Sequence, residues 1–153
     1  MPRLPFSRRR SAGFTMIEVL VALLVFSLGV LGLVAIQATA TRMAGDARDR
    51  ALATFLADQI LARMLISEPA TAGSFAHNPS GTTPCNPSGG ASANTTVTGW
   101  LLEVERQLPN ATAATQQIVV NATTGEVTVR LCWQNGNDAP RSLTVSNQVQ
   151  WQS

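Results

Sequence analysis

The chain opens with a polar, arginine-rich stretch and then runs apolar from Phe14 to Ile36, FTMIEVLVALLVFSLGVLGLVAI. About 20 apolar residues at 1.5 Å each cross a bilayer core, so this segment predicts a membrane-length helix. No proline occurs between Phe14 and Glu68, and Pro69 then ends the pattern. One continuous helix of about 54 residues, roughly 80 Å long, is therefore predicted. Its first half (14–36) is apolar all round, and its second half (37–68) is amphipathic. Leu52, Phe55, Leu56, Ile60 and Met64 recur at three- and four-residue spacing, a stripe that must bury against something. Arg42, Asp46, Asp49, Arg50, Asp58 and Arg63 mark a solvated face. Within it Asp46 and Arg50 are spaced to pair at i,i+4, for a few tenths of a kcal/mol.

The pattern then changes twice. Residues 70–96 are rich in Pro, Gly, Ser, Asn and Thr and read as a long loop with Cys85 near its middle. Such a length inside a compact domain points to function or disorder. Trp100, Leu101, Val104 and Leu108 fall on one helical face before Pro109, so Val97 to Leu108 reads as a short helix, with a strand as the alternative. The last third switches to period two. Val127, Val129, Leu131 and Trp133 alternate with Thr128, Arg130, Cys132 and Gln134. Leu143, Val145, Val149 and Trp151 alternate with Thr144, Ser146, Gln148 and Gln150, and a shorter run, Gln117 to Asn121, precedes both. The turns at Ala122–Gly125 and Asn135–Asp138 carry hairpin chemistry. These runs predict a three-stranded antiparallel meander over about 117–151. Its apolar face and the Leu52–Met64 stripe each need a partner, and joining them is the simplest solution. Parity then puts Cys132 on the face away from the helix. Trp100, Trp133 and Trp151 read as core residues.

Composition removes several function classes. Charged residues are 13% of the chain, and all 11 basic residues are Arg. The formal charge of +2 is carried by the first 13 residues. Without Arg3, Arg8, Arg9 and Arg10, seven Arg stand against nine acids, a balance of −2. No basic run remains, so no nucleic-acid partner is expected. Two cysteines far apart, with no CxxC, do not make a metal site. The single histidine, His77, reads as a solvated loop residue. The sequons at Asn94, Asn110 and Asn121 read as chance in a Thr/Asn-rich chain. No Ser/His/Asp set, phosphate loop or carboxylate pair is visible, so neither catalysis nor a cofactor is expected.

One residue breaks the apolar run. Glu18 lies five residues beyond Gly13, and a charged side chain in mid-membrane costs about 2.5–3.5 kcal/mol on insertion scales. Ahead of it Ser7-Arg8-Arg9-Arg10-Ser11-Ala12-Gly13 forms a basic leader ending in glycine. A secretory signal also begins with a basic segment and an apolar core, and Ala38-Thr39-Ala40 would offer a cut site. But such cores span about 7–15 residues and have no use for a glutamate. A plain single-pass anchor fits the length and leaves Gly13-Phe14 and Glu18 unexplained.

Gly13-Phe14-Thr15-Met16-Ile17-Glu18-Val19-Leu20 resembles the class III signal of type IV prepilins and of type II secretion pseudopilins, with Met16 where Leu is more common. The resemblance implies an α+β, pilin-like fold: a long N-terminal helix, transmembrane then amphipathic, packed on a small antiparallel sheet. It implies a 1–13 leader cut by prepilin peptidase between Gly13 and Phe14, N-methylation of Phe14, and Glu18 as the carboxylate that pairs with a neighbouring subunit's N-terminal amine. The helix would occupy 14–36 and 37–68, and the globular domain 69–153. Ala51-Leu52-Ala53, Ala57 to Met64, Trp100 to Pro109 and Cys132-Trp133 are similar to type IV pilus modification proteins of the PilV kind, which are minor pilins. That implies a place in the bacterial inner membrane, single-pass with the C-terminal domain in the periplasm, and later in the filament. The implied partners are other minor pilins, the major pilin, the inner-membrane assembly machinery and membrane lipid. An exported body would allow a Cys85–Cys132 disulfide, with two buried free thiols as the alternative. A minor pseudopilin of type II secretion, and a periplasmic binding module on a plain anchor, are the rival readings.

Overall fold

The computed structural model describes Gly13 and residues 15–149. Phe14 and Trp151, to which the sequence assigns roles, lie outside the described residues. Helix α1 spans Met16–Leu65. The chain divides into two compact units between Ala44 and Gly45, and each is described by itself.

The first unit is the apolar part of α1. It is long and apolar enough to cross a membrane, and none of that stretch is buried. Its large side chains from Met16 to Ile36 are exposed. The hydroxyls of Ser27, Thr39 and Thr41 turn back onto carbonyls four residues earlier, at 2.7, 3.2 and 2.9 Å. These polar groups are thereby satisfied within the helix, as an apolar solvent requires.

The second unit holds the core. Its elements are the end of α1, a 3-10 helix Pro69–Phe75, helix α2 (Thr95–Gln107), a 3-10 turn Ala113–Thr115, and strands β1 (Gln117–Asn121), β2 (Glu126–Trp133) and β3 (Arg141–Gln148). The sheet order is β1-β2-β3, antiparallel throughout. Val127, Val129, Leu131 and Trp133 are all buried on one face of β2. They join Leu56, Ile60 and Met64 of α1 and Val97, Trp100 and Val104 of α2 in one core. The Trp100 indole N–H donates to the Leu56 carbonyl at 2.9 Å, fastening α2 to α1. The expected α+β arrangement, a long N-terminal helix on a small antiparallel sheet, is present.

Several expectations change. The helix ends at Leu65, because the Ser67 N–H and hydroxyl both donate to the Met64 carbonyl, at 3.1 and 2.6 Å. Pro69 then begins a new turn instead of merely ending the old one, a position where its missing N–H costs nothing. The buried stripe is Ala53, Leu56, Ala57, Ile60, Leu61 and Met64. Leu52 is only half-buried, and Phe55 is 57% exposed. Ala53 and Ala57 carry little hydrophobic signal, but their small side chains let the helix lie close to its partners. That turns Phe55 outward. Asp46 does not pair with Arg50; it reaches Arg141 of β3 at 2.6 Å and accepts from the Asn135 amide at 3.3 Å. Asp49 accepts from the same amide at 2.9 Å. The charged face of α1 therefore ties down the β2–β3 connection.

The segment expected as a 70–96 loop is also more ordered than its composition suggests. It contains all but the first residue of the Pro69–Phe75 helix, an antiparallel bridge between Ser80 and Ser88, and the first two residues of α2. All three sequon asparagines have structural work. Asn94 caps α2, accepting from the Thr96 N–H at 2.9 Å. Asn110, at φ 50°, donates to the Gln134 carbonyl. Asn121 accepts from the N–H groups of Thr123 and Thr124, closing the turn that Gly125 completes at φ 74°.

Candidate assembly site and its anchored domain

The N-terminus of α1 is built by Thr15. Its carbonyl accepts from Glu18 N–H at 3.1 Å and Val19 N–H at 3.3 Å, and its hydroxyl lies 3.4 Å from the Glu18 N–H. Thr15-Met16-Ile17-Glu18 is thus a T-x-x-E start, the pattern of a capping box. Hydropathy and charge patterning do not select Thr15 as a positioning residue; the four-residue T-x-x-E spacing does. Glu18 stands in the first helical turn, where a negative charge is favoured by the helix dipole. Its side chain is exposed, and among the described residues the carboxylate makes no hydrogen bond or ion pair. Gly13 is exposed, two residues before Thr15. Phe14, the expected cleavage and methylation residue, lies outside the described residues.

In the second unit Cys85 and Cys132 are joined by a disulfide, with Cα atoms 5.4 Å apart. Cys132 lies on the sheet face opposite Leu131 and Trp133, and the chain around Cys85 is folded over that face. The Gln117 amide donates to the carbonyls of Asn78, Ser80 and Gly81 at 3.0, 2.9 and 3.1 Å. Arg130 donates to the Thr82 carbonyl and to the Gln117 side chain. Gly89, at φ 118°, is where a Cβ would come within 2.8 Å of Pro79, so only glycine fits there.

His77 is the clearest correction. It is 2% exposed, not solvated. Its Nε2 lies 2.8 Å from the Ala113 carbonyl, and its Nδ1 is 3.1 Å from the Ser92 N–H that donates to it. The Asn78 amide nitrogen also lies 3.1 Å from Nε2, so the ring is enclosed by polar partners on both nitrogens. Its backbone also pairs with Ile118, so it covers the outer edge of β1 at that residue.

Gln116 was not singled out either, and it is fully buried. Its oxygen accepts from the Cys132 N–H at 2.8 Å, while its amide donates to the Cys132 carbonyl at 3.0 Å and the Thr112 carbonyl at 2.9 Å. The side chain thereby stands in for a strand partner just where β1 has not yet begun.

Residues 8–34 match the prokaryotic N-terminal methylation motif. The chain carries a prepilin-type N-terminus. The match covers the end of the basic leader, from Arg8, and most of the apolar run, and it supports a protein of the type IV pilin and pseudopilin kind, with membrane anchoring and processing by a prepilin peptidase. No curated protein and no solved structure matches the chain.

Proposed function

We propose that this protein is a minor pilin of the PilV kind, matured by cleavage between Gly13 and Phe14 with methylation of the Phe14 amine, and acting in type IV pilus assembly. The observation that carries the reading is Glu18. It is a carboxylate in the first turn of an uncovered, membrane-length helix, inside the methylation motif. In the low-dielectric interior of a packed helical filament, an amine and a carboxylate attract far more strongly than in water. Either one left unpaired there is expensive. The charge therefore favours a helix packed against other helices over one alone in lipid. On this reading residues 1–13 are a cytoplasmic leader, held there by its arginines, and the disulfide-bearing domain is periplasmic.

The deciding experiment is mass spectrometry of the N-terminus of protein taken from cell membranes. The expected species begins at a methylated Phe14. A chain still beginning at Met1, or cut after Ala40, would overturn the reading. Deletion of the gene should reduce surface pili; a defect in protein secretion with normal pili would assign the chain to a pseudopilin role instead.

A further inference from the structure

Asn135 is the one asparagine in the sequence that is followed by glycine. An asparagine side chain carries its carbonyl carbon within reach of the next residue's backbone nitrogen. Closing a five-membered ring between them expels ammonia. A Cβ on the next residue hinders that approach, and glycine has none. Asparagine is for this reason among the heat-labile residues. The fold leaves one reactant free. Gly136 is exposed, takes the left-handed φ of 57°, and has open space where a Cβ would stand. Among the described residues its N–H donates to nothing. The other reactant is held. Asn135 is half-buried, and its amide nitrogen donates to Asp46 at 3.3 Å and to Asp49 at 2.9 Å. Those two acids lie three residues apart on α1, so both carboxylates meet the amide from one helix face.

We infer that Asn135 is a guarded deamidation site: Asp46 and Asp49 restrain its side chain from closing on Gly136, and conversion, once it occurs, releases the β2–β3 connection from α1. Two effects make the guard. Turning Cγ onto the Gly136 nitrogen requires giving up hydrogen bonds to charged acceptors, which are the stronger kind. Two nearby negative charges also oppose loss of the Gly136 proton. In the reaction, hydroxide takes that proton and the Gly136 nitrogen attacks Asn135 Cγ. The Cγ–Nδ2 bond breaks, ammonia leaves with a proton from water, and hydroxide is returned. Water then opens the succinimide at either carbonyl, leaving aspartate or isoaspartate at position 135. One water enters, one ammonia departs, and nothing is oxidised or reduced. Either product reverses the contact. A donor shared by two carboxylates becomes a third carboxylate beside them, with Arg141, paired to Asp46, as the one cation in contact. Isoaspartate also adds a methylene to the main chain, which displaces the turn closed by the Asp138 N–H on the Asn135 carbonyl at 3.0 Å.

The test incubates the full-length protein in detergent at mildly alkaline pH and follows each asparagine by peptide mapping, with isoaspartate located by enzymatic methylation. Conversion is expected at Asn135 and not at the exposed Asn137, which precedes Asp138. Asp49→Asn keeps the shape and removes the charge. It should raise the rate at Asn135 about ten-fold, the worth of one charge-assisted hydrogen bond. Asp58→Asn removes an exposed acid from the same helix and should leave the rate unchanged. In the converted wild type, amide exchange over 134–140 should quicken while the β1–β2 ladder stays protected. Slow exchange in β2 with the Cys85–Cys132 disulfide intact reports folding of each variant. If Asp49→Asn does not fold, the wild type decides: conversion at Asn135 should be about ten-fold faster or more in urea than in the folded protein, since unfolding removes the same hydrogen bonds. Equal rates in wild type and a folded Asp49→Asn variant, equal rates in the folded and unfolded chain, an Asp58→Asn variant as fast as Asp49→Asn, or unchanged exchange after conversion would overturn the inference. None of these outcomes depends on processing at Phe14.

Discussion

Replacing Gln116 by alanine tests how the outer end of the sheet is held. The side chain has no exposed surface and makes reciprocal hydrogen bonds to both backbone groups of Cys132. The substitution leaves a buried N–H and a buried carbonyl without partners, each costing about 1–3 kcal/mol. The Thr112 carbonyl loses its donor as well. A total of roughly 2–6 kcal/mol is a large share of the about 5–15 kcal/mol that stabilises a typical domain. Near the midpoint it lowers the melting temperature by roughly 10 °C or more. Gln116→Glu should be worse. One oxygen still accepts from the Cys132 N–H, but the other replaces a donor that faced two carbonyl oxygens, and the group brings a buried charge. Urea unfolding of the full-length protein in detergent, followed by tryptophan fluorescence with the disulfide intact, measures both. An alanine variant within about 0.5 kcal/mol of wild type, the usual range for a surface substitution, would refute the reasoning. So would a glutamate variant more stable than the alanine one.

The phase of α1 is tested by a neighbouring pair: Leu56→Ala should cost about 2–5 kcal/mol, and Phe55→Ala, on the exposed side, should stay within about 0.5 kcal/mol of wild type in the same unfolding assay. Loss of the Cys85–Cys132 bond by Cys85→Ser should cost roughly 4 kcal/mol on the loop-entropy account for a separation of 47 residues. Proteolysis should then nick the Ser80–Ser88 hairpin first; full resistance there would show that Gln117 and Arg130 suffice to hold it. Glu18→Ala should leave cleavage, membrane level and domain folding unchanged and reduce incorporation into filaments. Full piliation by that variant, in a strain whose deletion has few pili, would show that the carboxylate is not used for assembly.

By itself the sequence determined whatever depends on local periodicity. An apolar run of membrane length, a glutamate out of place, and three segments of alternating residues bounded by Asx and glycine turns specify a long helix and a meander whatever lies around them. The parity of β2 also puts Cys132 opposite Leu131 and Trp133. The tertiary structure decided which side chains meet across the chain. Ala53 and Ala57 displaced Phe55 from the core because close approach rewards small side chains, a property that hydrophobic patterning does not register. Asp46 found Arg141, 95 residues away, instead of Arg50 one turn on, because the folded β2–β3 connection offered Asn135 and Arg141 together. His77 and Gln116 are polar residues in polar surroundings, and read linearly they belong to solvent. His77 is buried where its backbone bridges to Ile118 and its ring meets Ala113 and Ser92, and Gln116 where it takes the place of a strand partner for Cys132, so that backbone groups at the ends of β1 find partners. Hydrogen-bond satisfaction is a property of the finished fold, and no window along the chain contains it.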